Sequence, residues 1–193
     1  MKWLSRVFIG LGLVFMGYSG YQLYDAFTKE QVTLEAAHTH IIEQREVYAS
    51  EPAFDVMSYD AEYMETFGVL TIPSLDNRSI GIVEGADEDA LAQGVGHVES
   101  TVFPGQGEQI VLSGHRDSVF RNFDQLDLGD TFIVEMPYGT FEYEIREIDI
   151  VEADDTTVIG PMGEEVLVVS TCYPFGFIGP APQRAVFYAY PVN

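Results

Sequence analysis

The chain has 193 residues, with 9 Lys or Arg against 31 Asp or Glu, a formal charge of −22. That length supports one domain with a sizeable core plus an appendage. The charge excludes two classes of partner bound through surface electrostatics, nucleic acid and anionic lipid. Past Glu30 there are six Arg, no Lys and 29 acidic residues. Arg keeps its charge at alkaline pH, where Lys begins to lose it, so this surface suits an alkaline or salty medium.

The first element is apolar. Lys2 and Arg6 precede Val7–Leu23, "VFIGLGLVFMGYSGYQL", which has no charged residue; Trp3 and Tyr24 flank it and Asp25 follows. The segment is about long enough to cross a bilayer as a helix. A cleaved signal peptide would need an A-x-A-like site, and tyrosines occupy the far end instead. An uncleaved anchor over residues 1–24 is expected. Lys2 and Arg6 on its leading side, with Asp25 following closely, place the N-terminus in the cytoplasm and the rest outside.

Residues 25–65 are expected to form an extracellular spacer, partly helical. Thr33–Ser50 can be helical, with Pro52 stopping it. Its apolar positions Val32, Leu34, Ile41, Ile42 and Val47 do not make a clean stripe, so a loosely packed stalk is predicted. His38 and His40 are two apart, off any shared helical face, and read as solvated rather than metal-binding.

From Phe67 the pattern changes to short strands. "FGVLTIP" and "RSIGIVEG" come first, then one short helix, "DEDALAQG", with Asp87 as N-cap and Gly94 as its stop. "EQIVLSGH" is a strand. "DTFIVEM" and "TFEYEIREIDIVE" alternate around the hairpin turn "PYGT". "EEVLVVST" is a continuous apolar run, hence a central strand, and "RAVFYAYPV" closes the chain. Many short strands and almost no helix predict an all-β barrel or sandwich over residues 66–193.

Cys172 is the only cysteine. In an exported protein it cannot form an intramolecular disulfide, which leaves a small buried hydrophobe, an intermolecular bridge or a reactive thiol. Its surroundings favour the thiol. Cys172 ends the penultimate strand, His115 ends "QIVLSGH", and Arg184 begins the last strand twelve residues after Cys172. If the last two strands pair as a hairpin, Cys172 and Arg184 face each other at its open end. Cysteine chemistry needs a nucleophile, a proton donor for the leaving group and positive charge where an oxyanion develops. These three side chains can supply them.

Here the chain resembles the sortases. "LSGHRDSVF" is similar to the family's histidine motif, "VVSTC" to its T-L-x-T-C motif, and "PQRAVFYAYPV" to its final arginine strand. "CYPFGFIGPAPQR" and "GVGHVESTVFPGQG" look most like the class D branch. Val168 and Val169 depart from the usual Thr and Leu, which keeps a buried strand. Glu108 stands where an Asn is usual and is expected to alter the loop near the site.

The resemblance implies a closed eight-stranded β-barrel and a cysteine transpeptidase that attaches surface proteins ending in an LPXTG-like signal to the Gram-positive cell wall. Carried over position by position, Cys172 is the nucleophile, His115 the general acid/base and Arg184 the oxyanion or substrate-orienting residue. An amino group of a peptidoglycan precursor is the acceptor. No cofactor is required. A structural calcium at "VEADD" is conceivable, as in some sortases, and a solvated acidic loop is the favoured reading.

The rivals within this assignment are His97 for the base, read as structural or groove-lining, and Arg116 for the arginine, expected to point away from His115. Asp117 is a weaker candidate to orient His115. Two other functions stay open at this point: an anchored cysteine peptidase that hydrolyses without transfer, and a non-enzymatic wall-binding β-domain.

Overall fold

The computed structural model describes residues 2–50, 54–176, 179 and 181–192. Two helices and eight strands follow in chain order: α1 Lys2–Ser50, β1 Thr66–Ile72, β2 Arg78–Glu84, α2 Glu88–Leu91, β3 Val95–His97, β4 Gln109–Gly114, β5 Thr131–Met136, β6 Gly139–Glu152, β7 Val166–Tyr173 and β8 Gln183–Pro191.

The strands close into a barrel in the order β1-β2-β3-β4-β7-β8-β6-β5. Two pairs are parallel, β2 with β3 and β4 with β7; the others are antiparallel. Closure leaves no open sheet edge. Alternate residues point inward, and the interior holds Leu70 and Ile72 of β1, Ile80 and Ile82 of β2, Ile110 and Leu112 of β4, Leu167 and Val169 of β7, and Phe187 and Ala189 of β8. Phe120 and Phe123, their rings 4.2 Å apart, add aromatic bulk to that core.

Seven strands match the alternating or continuous apolar runs of the sequence. The eighth, β3, is three residues long and has a glycine at its centre. A Cβ on Gly96 would lie 2.5 Å from the Gly85 carbonyl oxygen, so this strand passes too close to backbone for a side chain. Asp87 caps α2 by accepting from Ala90 N at 2.9 Å. It also accepts from the Tyr63 hydroxyl; that bond pushes the Tyr63 phenol up to about 12 and, together with the cap, lowers the Asp87 carboxyl.

The predicted stalk differs. α1 is one helix from Lys2 to Ser50, and its second half is seated on the barrel rather than loosely packed. Pro52, expected to stop it, lies outside the described residues. The seated face is Glu30, Thr33, Leu34, Ala37, His40, Ile41, Gln44 and Tyr48, spaced three and four apart. Half of these are polar and one is alanine, while Val32, Ile42 and Val47 face solvent. Of the five apolar positions read from the sequence, only Leu34 and Ile41 are on the seated face, so hydropathy did not mark it. Contact is by close approach: a Cβ on Gly81 of β2 would lie 2.8 Å from the Thr33 carbonyl oxygen. Ala37 and Ile41 bury against Val69. Arg45 pairs with Glu135 at 2.8 Å, and Tyr48 meets Phe54 with ring centroids 4.2 Å apart.

The first half of α1 meets no such partner. Trp3, Phe8, Val14, Phe15, Tyr21 and Tyr24 are all exposed. By length and composition this one helix can cross a membrane.

Candidate active site

Strand register brings the three predicted site residues together. Cys172 of β7 is the cross-strand partner of Arg184 of β8. On the other side of β7, Gly114 pairs with Thr171 in the parallel ladder, and His115 follows Gly114 directly. On β7 the interior residues are Leu167 and Val169; Val166 and Val168 lie on the opposite, outer face, and alternation carries that face through Ser170 to Cys172. The same count puts Arg184 with Val186 on β8; His115 lies one residue past the end of β4. Cys172 and Arg184 are partly buried and His115 is exposed.

Local chemistry explains how each is held. β4 stops at Gly114, where a Cβ would lie 2.6 Å from the Phe120 ring. The glycine lets the following turn fold back on the strand end. That turn closes on the His115 carbonyl, which accepts from Ser118 N at 3.3 Å and Phe120 N at 3.1 Å. The buried Thr171 hydroxyl donates to the Gly114 carbonyl at 2.7 Å, a strap between the strands that end in His115 and Cys172. Arg184 Nη1 donates locally, to Gln183 O at 3.2 Å and Ala181 O at 3.4 Å.

The rivals have other places. His97 is in the barrel interior, 1% exposed, its ring 4.6 Å from that of Phe103. Its Nδ1 is 2.7 Å from Glu84 Oε2 and its Nε2 is 3.0 Å from the Val102 carbonyl. Thr101 Oγ1 is also 3.1 Å from Nε2, so both nitrogens are committed to the fold. His97 is structural and does not line a groove. Arg116 is buried while His115 is exposed, so the two diverge as expected. It does not run into solvent, however. Nη1 donates to Pro174 O at 2.8 Å and Nη2 to Gly179 O at 2.9 Å, which pins the β7–β8 loop just past Cys172. Asp117 is 78% exposed and sits 3.6 Å from Arg116 Nε.

Glu108 acts elsewhere than anticipated. It precedes β4, and six residues of strand, about 20 Å, separate it from His115. Its carboxylate accepts from Met162 N at 2.6 Å and Gly163 N at 3.1 Å, which fastens the β6–β7 loop. These bonds, Met162 first, hold its carboxyl below the ordinary range. In the "VEADD" segment Asp155 accepts from Thr157 N and Oγ1. Among the described residues, no three His, Cys, Asp or Glu gather to hold a metal ion.

Sequence reasoning gave no role to Thr171 or to the inward turn of Arg116. The motif "STC" contained the first without showing its partner. An arginine next to a histidine signals nothing of the carbonyls it will reach 58 and 63 positions later.

A cysteine, a histidine and an arginine stand at the ends of three neighbouring strands of a closed barrel. These are side chains that a cysteine enzyme can use. Residues 70–192 match the Sortase domain family model. The chain is 40% identical over 192 residues to Sortase D of Bacillus subtilis (strain 168), covering 97% of this chain and 96% of that protein. Among solved structures, a Clostridium perfringens Sortase D5 transpeptidase superposes with a TM-score of 0.69 at 25% identity, over 86% of this chain and 99% of that one. The catalytic domain of B. anthracis SrtD gives a TM-score of 0.59 at 39% identity, over 75% of this chain and 97% of its own. The chain belongs to the sortase family.

Proposed function

We propose that this sortase is a membrane-anchored cysteine transpeptidase. It cleaves an LPXTG-like sorting signal after its Thr and passes the acyl group to an amino group of a peptidoglycan precursor outside the cell. The observation that carries the reading is the cross-strand pairing of Cys172 with Arg184, beside a strand that runs into His115.

The Cys172 sulfur, as thiolate, attacks the Thr carbonyl carbon, and the carbonyl electrons move onto oxygen. Arg184, on the same face one strand away, donates to that oxyanion. The intermediate collapses with loss of the C–N bond, and His115 protonates the departing amine. A thioester to Cys172 remains. The acceptor amine attacks it, loses a proton to His115, and leaves as an amide while the thiolate is released. The first half-reaction consumes one proton from His115 and the second returns it.

The test is full-length protein with a fluorogenic LPXTG-type peptide, with and without an amine acceptor, products being weighed by mass spectrometry. We expect a covalent adduct on Cys172 and an amide product that depends on the amine, both lost in Cys172→Ala. Free acid alone, even with excess amine, would leave a peptidase. Cleavage retained in Cys172→Ala would end the reading.

A further inference from the structure

We propose that α1 is a rigid strut that holds the catalytic end of the barrel against the outer surface of the bilayer, facing it. This rests on the reading of Val7–Leu23 as a membrane anchor.

The helix shows no break where the apolar run ends and the seated half begins. Its glycines, Gly10, Gly12, Gly17 and Gly20, all fall inside the apolar run, and none lies between Tyr21 and Ser50. The barrel therefore cannot swing freely on a linker. Contact starts as soon as the apolar run stops. Asp25, Lys29 and Glu30 form one wall of a cleft of about 270 Å³, and His115, Ser118 and Glu88 stand on the other sides. Arg78 bridges the two walls. Its Nη2 donates to Glu30 Oε1 and to the Ser118 carbonyl, both at 2.9 Å. Ser118 belongs to the turn that His115 opens, so the anchor helix and the histidine turn share one guanidinium.

The far end is distant. Arg45 and Tyr48 of α1 reach Glu135 and Tyr138, at the β5–β6 hairpin. At about 1.5 Å per residue, Glu30 lies about 9 Å beyond Tyr24 along the helix and Tyr48 about 36 Å. The His115 end thus sits within about one headgroup depth of the lipid, and the β5–β6 hairpin some 30 Å farther out. The partner of this end is the bilayer surface itself. Substrates whose reacting groups lie at that height, a membrane-tethered signal and a lipid-linked amine, meet Cys172 without leaving the membrane. Because the surface is acidic, the strut rather than lipid charge must supply the orientation.

Cys172 is the single cysteine, so the full chain can be labelled there directly. The control is Thr140→Cys in a Cys172→Ala background, at the exposed far hairpin. Each is labelled with a fluorescent maleimide, placed in phosphatidylcholine–phosphatidylglycerol vesicles, and quenched with headgroup-nitroxide lipid. We expect several-fold stronger quenching at 172 than at 140. A twelve-residue Gly-Ser insert between Tyr24 and Asp25 should erase the difference while flotation persists, and the unlabelled insert protein, with Cys172 free, should still cleave soluble peptide. Equal quenching at both sites in protein that floats, or a difference that survives the insert, would overturn the strut. Failure to float would overturn the anchor reading and the strut together.

Discussion

Thr171→Val isolates one hydroxyl that aligns the site. Valine keeps the shape and the strand preference, so no cavity opens. What is lost is the 2.7 Å bond from Thr171 Oγ1 to the Gly114 carbonyl, in a buried setting. A neutral bond of this kind contributes about 0.5–1.5 kcal/mol net, and a buried carbonyl left short of a partner adds to the loss, so about 1–2 kcal/mol is expected. For a chain of this size each kcal/mol moves the melting midpoint by about 2–4 °C, so the shift should be about 2–8 °C. Catalysis should suffer more than stability. Gly114 fixes where His115 begins, and a misplacement near 1 Å can cost on the order of 100-fold. We expect kcat for an LPXTG-type peptide to fall about 10- to 100-fold with KM little changed. Thr171→Ser keeps the donor and should hold most of kcat. Differential scanning calorimetry and steady-state transfer read the two effects. If Thr171→Val melts lower yet turns over like wild type, the strap is structural only. If Thr171→Ser is as slow as Thr171→Val, the hydroxyl is not what aligns the histidine.

Arg184→Lys should lower kcat on the order of 100-fold while KM changes little, because a point charge does not reproduce the oriented fork; wild-type turnover in that variant would reduce Arg184 to a charge that attracts substrate. Arg116→Met strips two carbonyls of a buried donor and should destabilise the fold by about 2–3 kcal/mol, with hydrogen exchange rising at Phe175 and Gly176; unchanged exchange there would show that the loop holds without it. Glu108 has a folded-state pKa below its ordinary value, so its stabilisation is present above the ordinary carboxylate range and is lost as pH falls through and below it. Protection of the Met162 and Gly163 amides, taken relative to their intrinsic exchange rates, should therefore fall on acidification in wild type and already be low at neutral pH in Glu108→Gln; an acid response of protection that Glu108→Gln leaves intact would point to another group.

What the sequence revealed and what it hid divide along physical lines. Strands such as Thr131–Met136 alternate because one face is in the core, and that period survives in the letters. Cys172 and Arg184 were placed opposite each other from a hairpin count alone, since antiparallel register is set by loop length. β3 was invisible because three residues carry too little period, and its glycine is there for closeness, not for turning. His97 could be recognised as a histidine in the wrong place to be a base, but its carboxylate partner, Glu84, sits 13 positions away on a parallel neighbour and follows from topology only.

The stalk shows most clearly why hydropathy fails. A helix that seats on a sheet through bulky side chains writes an apolar stripe into the sequence. α1 seats by proximity: Thr33 lies where both Gly81 and Gly94 have no side chain, and Ala37 is fully buried. Small residues at a seam let backbones approach, and the dispersion gained is spread over many atoms rather than concentrated in a few large groups. Polar members of the seam gain partners instead, Glu30 from Arg78 and His40 beside Glu65. A seam of this kind is short of apolar area, so its stability depends on fit. Fit, in turn, fixes direction. A helix held by a greasy stripe could slide by a turn and still bury similar area, whereas Thr33 against Gly81 admits one register. A strut that sets the height of His115 above a bilayer needs that single register, and the seam that hid it from hydropathy supplies it.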